Sequence, residues 1–280
     1  TMSQFQFNDI ADEVAASQAN ANEAKSGGGD YTPPPKGLAR LRLIGYIEVG
    51  KHEKPARNGN PAKVEDQAHL IFELSGKGYE PKVLEDGTKI PQRITVKLNK
   101  SLNEKATYFK LFKRMNYEQK ATSFIQLLGS AFLGNVGHYE IPGKDGAQPT
   151  IIANFRDDAG NLTIRPPRIE AMDEETGDVV VKPVPVAAPI SDQRCFIWEG
   201  KPEWFDKMWP SIFVDNDEKD GGYYQKLTKS ALNFEGSPIE AYLKAKGVDL
   251  GIPAAEDNKA GKGNAAPAAS DDDILNGVGD

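Results

Sequence analysis

The sequence is poor in the side chains that build most catalytic and metal-binding sites. Its 280 residues include one cysteine, Cys195, and three histidines, His52, His69 and His138. A single cysteine excludes an intramolecular disulfide and a thiolate zinc site, and it is typical of a protein from a reducing cytoplasm. The histidines are too few and too scattered for a metal centre or a nucleophilic triad, so we expect them to be ordinary polar residues of loops and strands.

Other features of enzymes and of exported or membrane proteins are missing as well. No stretch approaches the roughly 18 consecutive apolar residues of a membrane helix, and the N-terminal residues lack the basic and apolar regions of a signal peptide. No glycine-rich phosphate loop occurs. A nuclease would need clustered carboxylates, and the best candidates, Glu65 and Asp66, are adjacent and point to opposite faces of a strand. We therefore expect a soluble cytoplasmic protein without catalytic activity, metal or cofactor.

The net charge of −7 is unevenly distributed along the chain. As an average it argues against nucleic-acid binding, yet residues 36–168 hold 22 basic and 14 acidic side chains. The flanking residues 1–35, 169–250 and 251–280 carry −4, −7 and −4. Within the basic region, residues 88–120 carry nine Lys and Arg against two Glu. This excess is typical of a polyanion-binding surface, with a merely solvated lysine-rich surface as the alternative.

Alternating apolar and polar side chains predict three strands early in the basic region. The strands run from Leu38 to Val49, from about Gln67 to Ser75, and from Arg93 to Leu98. The first alternation places Ala39, Leu41, Leu43, Gly45, Ile47 and Val49 on one side and Arg40, Arg42, Ile44, Tyr46 and Glu48 on the other. A polar, basic loop is expected at residues 50–63 between the first two strands.

A helical region in two pieces is predicted to follow, from about Glu104 to Leu133, ended by Gly134 and Gly137. Further strands are expected at about residues 137–141, 150–155 and 162–165. Three strands, a helix and two or three more strands match the layout of an OB-fold, a five-stranded, partly open barrel that binds oligonucleotides. We therefore predict a mainly β (α+β) protein with an OB-like barrel, and another small barrel with an inserted helix remains the alternative.

Composition changes after Pro166. An acidic turn at residues 173–178 precedes an extended, Pro/Val-rich segment from Lys182 to Pro189. An aromatic cluster is expected to pack the C-terminal part onto the barrel; it comprises Phe196, Trp198, Trp204, Phe205, Trp209 and Phe213. A capping box predicts a short helix that starts after Ser237 and stops at Gly247. The predicted organisation is a flexible segment (1–35), a basic OB-like DNA-binding module (36–168), an aromatic-rich extension (169–250) and a disordered acidic tail (251–280).

Binding of a single strand without sequence preference needs a positive groove for phosphates and aromatic rings for bases. Both occur on one predicted face, where Arg40, Arg42 and Tyr46 share a side of the first strand and Arg93 and Lys97 share a side of the third. Tyr46 is the first candidate for a stacking ring and Tyr79 the second. The predicted DNA-binding residues are Arg40, Arg42, Tyr46, Lys51, Lys54, Arg57, Tyr79, Arg93, Lys97, Lys100, Lys110, Lys113, Arg114 and Tyr117.

With these residues the sequence resembles the single-stranded DNA-binding proteins of tailed bacteriophages. The likeness lies in a basic β-module whose first strand centres on Ile-Gly-Tyr-Ile-Glu (44–48), in the segment from Phe-Ile-Trp (196–198) to Ser-Ile-Phe-Val (211–214), and in an acidic C-terminus. The resemblance implies an OB-fold, binding to ssDNA during phage replication or recombination in the bacterial cytoplasm, and recruitment of phage or host proteins by the tail. The predicted partner-binding residues there are Asp271, Asp272, Asp273, Ile274 and Leu275.

The tail partly resembles the Asp-Asp-Asp-Ile ending of bacterial counterparts and also differs from it. Ile274 is followed by Leu275 and five more residues instead of the terminal Pro-Phe of bacterial counterparts, which puts docking to host partners through that ending in doubt. A virion structural or assembly protein with a DNA-facing basic surface is the alternative function. Phe5, Phe7 and Ile10 allow either self-association on DNA or folding back onto the barrel, and no membrane partner is expected.

Overall fold

The computed structural model describes residues 32–56, 61–142, 148–173, 175–213, 222–248 and 250. Its strands are β1 (Gly37–Lys54), β2 (Lys63–Ser75), β3 (Lys82–Val83), β4 (Lys89–Ile90), β5 (Arg93–Asn99), β6 (Ala131–Ile141), β7 (Thr150–Asn154), β8 (Arg168–Met172), β9 (Val179–Pro183) and β10 (Arg194–Phe196). Its helices are α1 (Thr107–Met115), α2 (Pro202–Ser211), α3 (Tyr223–Lys229) and α4 (Pro238–Ala245), with a 3-10 helix at Phe124–Leu127.

The main sheet has the strand order β5-β2-β1-β6-β7, and β10 joins β1 in parallel. All other pairs of this sheet are antiparallel. Strands β3–β4 and β8–β9 form two separate hairpins. The prediction of a mainly β protein is confirmed, but the described strands do not close into a barrel, so the OB-fold barrel is not confirmed.

Three sequence predictions of secondary structure are wrong. The polar loop at 50–63 is shorter, because β1 continues to Lys54 and β2 begins at Lys63. The second helical piece is only a 3-10 turn, and its apolar end belongs to β6, which pairs with β1. Gly134 and Gly137 lie inside β6, where a Cβ would come within 2.8 Å of Leu41 and 2.5 Å of the Arg156 carbonyl oxygen. Residues 162–165 form only isolated bridges.

A β-bulge in β1 exchanges the two faces of this strand. The register of β1 against β2 shifts between Leu43 and Gly45. Leu43 and Tyr46 therefore both face the first core, although they are three residues apart, whereas Ile44 and Ile47 face the opposite side. The sequence alternation had placed Tyr46 on the side of Arg40 and Arg42, and this assignment is wrong because an extra residue changes the phase.

The first core fills the inner face of the sheet. It contains the inward residues of β2 and β5, such as Phe72 and Val96, as the alternation predicted. Helix α1 closes it with its buried face, which includes Tyr108 and Leu111. The ring of Phe124 from the 3-10 helix stacks on Tyr46 at 5.7 Å between centroids. This core therefore takes the aromatic residue that the sequence had assigned to DNA.

A second core lies on the outer face of the sheet, where the C-terminal extension packs. Ile47 and Ile71 of β1 and β2 contact aromatic side chains of the extension, among them Phe196, Trp198 and Phe205. The three rings of Phe196, Phe205 and Trp209 lie close together, with centroid distances of 5.8 Å from Phe196 to each of the other two. Helix α4 starts as predicted, since the Ser237 side chain accepts a hydrogen bond from the Glu240 backbone N–H.

His69 of β2 is buried under this extension. Its ring lies edge-on to Tyr224 of α3 at 5.6 Å, and neither ring nitrogen has a hydrogen-bond partner. Burial lowers its pKa well below the usual value of 6.5, and Lys97 and His52 act in the same direction. Its environment therefore favours the neutral imidazole.

Acid is expected to destabilise the protein through His69. The unfolded chain binds a proton near pH 6.5 that the folded chain does not, so the free energy of unfolding should fall as the pH is lowered from 7.5 towards 5. Urea unfolding at several pH values measures this slope. His69→Phe should flatten it. A slope unchanged in His69→Phe would contradict the prediction.

None of the described helices is both long and apolar enough to span a membrane.

Candidate nucleic-acid interface

Four arginines share the outer face of the sheet beside the second core, and we call them the arginine surface: Arg40, Arg42, Arg93 and Arg165. Arg40 lies opposite Leu133 of β6, and Leu133 in turn bridges to Arg165 through two backbone hydrogen bonds of 2.9 and 2.8 Å. Arg42 and Arg93 are both cross-strand neighbours of Glu73 in β2. Since residues directly opposite in a sheet share a face, these side chains form two adjacent rows.

Residues 184–191, which we call the strap, cross this surface. The Arg42 guanidinium donates to the carbonyl oxygens of Val186 and Ala187, at 2.6 and 2.8 Å, and to that of Gly129 at 2.8 Å. The Glu73 carboxylate is buried and accepts the N–H groups of Ile190 and Ser191 at 2.6 and 2.9 Å. Arg93 donates to the Ser191 hydroxyl at 3.1 Å. The strap thus occupies part of the face that the sequence assigned to DNA.

Tyr117 is half-buried and packs against the first core. Its ring lies edge-on to Phe132, with 6.1 Å between centroids. Burial raises the pKa of Tyr117 and Glu118 adds to this, while Arg42 and Arg168 oppose it. The ring also lines a cavity of about 230 Å³. Among the three predicted tyrosines, Tyr117 is the one that the structure leaves partly exposed.

Two predicted stacking residues are wrong, because both tyrosines are in the core. Tyr46 is 1% exposed, and its hydroxyl donates to Glu48 at 2.8 Å. Tyr79 is 2% exposed, and its hydroxyl donates to the carbonyl oxygens of Pro35 and Gly37. A ring that is enclosed by protein has no face to offer to a base.

The predicted lysines near the β1–β2 hairpin do not join the arginine surface. Lys51 is exposed, and Lys54 is half-buried near the end of β1. Arg57 lies outside the described residues. Lys97 is half-buried on β5, directly opposite the buried His69. Lys51 and Lys54 lie further along β1 than Arg42, and Lys97 lies further along β5 than Arg93.

Lys100 pairs with a buried carboxylate, while its own side chain is 31% exposed. Its ammonium group lies 3.0 Å from the Glu48 carboxylate. Burial lowers the pKa of Lys100, but the charge and hydrogen bond of Glu48 together with Asp66 and Tyr108 leave the pKa above its usual value. Glu48 offsets part of the charge of Lys100, and the assignment of Lys100 to DNA stays a prediction.

The predicted residues on α1 form a third group. Lys110 and Lys113 are exposed on the side of the helix away from the first core. Lys113 lies over the Phe109 ring at 5.7 Å. Arg114 donates to the carbonyl oxygen of Leu162, which ties the end of α1 to the segment before Arg165. The helix therefore presents a basic strip of two lysines and one tethered arginine.

Sequence reasoning missed Arg165 and Arg168. They flank two prolines in Arg-Pro-Pro-Arg, and this basic pair beside a rigid turn is the signal that could have found them. The strand expected at 162–165 did not by itself indicate which face Arg165 shares. Only the bridge to Leu133 places it next to Arg40.

The tail residues 271–275 and the N-terminal residues 5, 7 and 10 lie outside the described part of the chain. Among the described residues, no group of three or more His, Cys, Asp or Glu side chains could hold a metal ion. Burial raises the pKa of the Cys195 thiol to about 11, so it is a poor nucleophile.

Comparison with protein-family models, with curated proteins and with solved structures finds no match for this chain.

Proposed function

We propose that the protein binds single-stranded DNA without sequence preference, through the arginine surface. The observation that carries this proposal is the convergence of Arg40, Arg42, Arg93 and Arg165 on one face whose central carboxylate, Glu73, is capped by backbone N–H groups. Arginine donates two parallel hydrogen bonds to a phosphate and can also stack on a base.

The strand order is a second support for this proposal. Three antiparallel strands, a helix and two further strands follow the sequence of elements in an OB-fold, with the first strand paired to both the second and the fourth of the sheet. Because Tyr46 and Tyr79 are buried, base contacts in this proposal come from the guanidinium planes and from Tyr117.

The biological setting follows from the resemblance to the bacteriophage proteins. In this proposal the protein coats ssDNA during phage replication or recombination in the cytoplasm of the infected bacterium. The acidic residues 271–273 compete with DNA for the basic face and recruit phage or host replication proteins once DNA displaces them.

The test is a salt series with single-stranded and double-stranded DNA. Binding of fluorescent oligo-dT, followed by anisotropy from 50 to 300 mM salt, should weaken steeply, with a log–log slope of about −0.7 for each phosphate contact. Duplex of the same length should bind more weakly. A flat salt response or a preference for duplex would overturn the proposal.

One observation favours a protein-binding alternative, a virion structural or assembly role. The β8–β9 hairpin exposes Met172, Val179 and Val181, at 72%, 64% and 50%, and none of them belongs to either core. Exposed apolar side chains of this kind are typical of protein contacts. This alternative predicts co-purification with particles and no salt-sensitive binding to free oligo-dT.

A further inference from the structure

We propose that the strap is a displaceable cover, and that the strap and single-stranded DNA compete for Arg42, so that only one of them is bound to it at a time. The inference rests on the proposed function and adds a regulation of the same site. In the described structure the strap is in place, so DNA would have to remove it before reaching Arg42.

Hydrogen bonds hold the strap in place. They are the bonds of Arg42, Glu73 and Arg93 described above, together with one from the Val184 N–H to the Pro167 carbonyl oxygen at 2.8 Å. None of its side chains is part of the first or the second core, and Ile190 is 50% exposed. Segments that contribute no side chain to a core open at low free-energy cost, because few buried contacts must be exchanged for water.

A phosphate is a better partner for Arg42 than the strap. The two strap carbonyls that accept from Arg42 are neutral, whereas a phosphate is charged and accepts two parallel bonds from one guanidinium. Both sets of bonds have a charged donor, and the phosphate adds a charged acceptor and the bidentate geometry that strengthens such pairs. The strap thus occupies the donors that a phosphate would use, with weaker acceptors.

Glu73 keeps partners when the strap leaves. It loses the N–H groups of Ile190 and Ser191, but Arg42 and Arg93 stand directly opposite it on the two neighbouring strands. Opening also removes Ser191 from Arg93, so Arg93 can pair with the carboxylate while Arg42 binds a phosphate, and no buried charge is left without a partner. The covered and open states therefore both satisfy Glu73, as a two-state element requires.

Only molecules with the strap open bind DNA through Arg42, so the apparent affinity for DNA is the affinity of the open state multiplied by the fraction of molecules that are open. Ile190→Pro tests this without changing a charge, since proline removes the N–H that donates to Glu73 at 2.6 Å. Ile190→Ala, which keeps the N–H, is the matched control. In the full-length chain, Ile190→Pro should bind oligo-dT about tenfold more tightly than Ile190→Ala, because a hydrogen bond to a charged group is lost only from the covered state.

Amide exchange of the strap supplies a second readout. In the free protein, Ile190→Pro should exchange the Ser191 amide faster than Ile190→Ala, and adding oligo-dT to the unsubstituted chain should accelerate this exchange. Equal affinities of the two variants, or slower exchange of Ser191 with DNA bound, would overturn the cover while leaving the binding function intact. Absence of salt-sensitive oligo-dT binding in every variant would overturn the proposed function and the cover together.

Discussion

Reversing two charges on the arginine surface is expected to abolish oligo-dT binding. In Arg40→Glu/Arg165→Glu the affinity at 100 mM salt should fall by about 100-fold or more, because two phosphate contacts are lost and two negative charges repel the backbone. The log–log salt slope should become shallower by about 0.7 for each contact removed. Anisotropy with fluorescent oligo-dT measures both quantities.

The matched control reverses the same number of charges at another part of the surface. Lys82→Glu/Lys89→Glu changes two exposed lysines of the β3–β4 hairpin, which lies outside the main sheet. This variant should bind within about threefold of the unsubstituted chain, since only the screened long-range field changes. Equal losses in both variants would show that net charge, and not the arginine surface, governs binding. Unchanged unfolding curves are needed to exclude misfolding.

Removing the Glu48 side chain is expected to produce the largest loss of stability. Glu48 is 7% exposed, and its Oε1 atom accepts from the Tyr46 hydroxyl at 2.8 Å and pairs with the Lys100 ammonium at 3.0 Å. Its Oε2 atom accepts the Trp198 backbone N–H at 2.9 Å. The Tyr46 hydroxyl also lies 2.8 Å from that of Tyr108. One carboxylate thus joins the first core, α1 and the extension.

Glu48→Ala should lower the free energy of unfolding by about 3–5 kcal/mol, the usual cost of removing one partner of a buried ion pair. The substitution removes the ion-pair partner of Lys100 and the acceptor of the Trp198 N–H, and it leaves the Tyr46 hydroxyl with Tyr108 as its partner. Guanidinium unfolding followed by tryptophan fluorescence measures it. Glu53→Ala, at an exposed position of the same strand, should cost less than about 0.5 kcal/mol. A Glu48→Ala loss as small as that of the control would contradict the role of the network.

The secondary structure was predictable where the alternation of side chains was uninterrupted. In β2 and β5 every second residue is apolar, and Phe72 and Val96 do face the first core. The start of α4 was likewise predictable from Ser237 and Glu240, because an N-cap needs only local hydrogen bonds. Local rules of this kind do not depend on distant parts of the chain.

The candidate site was predictable in part. Arg40, Arg42 and Arg93 were assigned to one face, and the cross-strand register does place them there. Tyr46 was misassigned because a single extra residue in β1 reverses the alternation, and nothing in the local sequence shows a bulge. Arg165 was missed because its neighbour Leu133 is 32 residues away in the chain, so their pairing depends on tertiary structure.

The sequence by itself determined that the net charge of −7 conceals a basic region, that the chain is mainly β, and which strands carry the arginines. These properties follow from composition and from the period of two along a strand. Only the tertiary structure decided that Tyr46 enters the core, that Arg165 joins Arg40, and that the strap lies on Arg42. Each of these depends on contacts between residues far apart in the chain, and such contacts are selected by packing and hydrogen bonding of the whole fold.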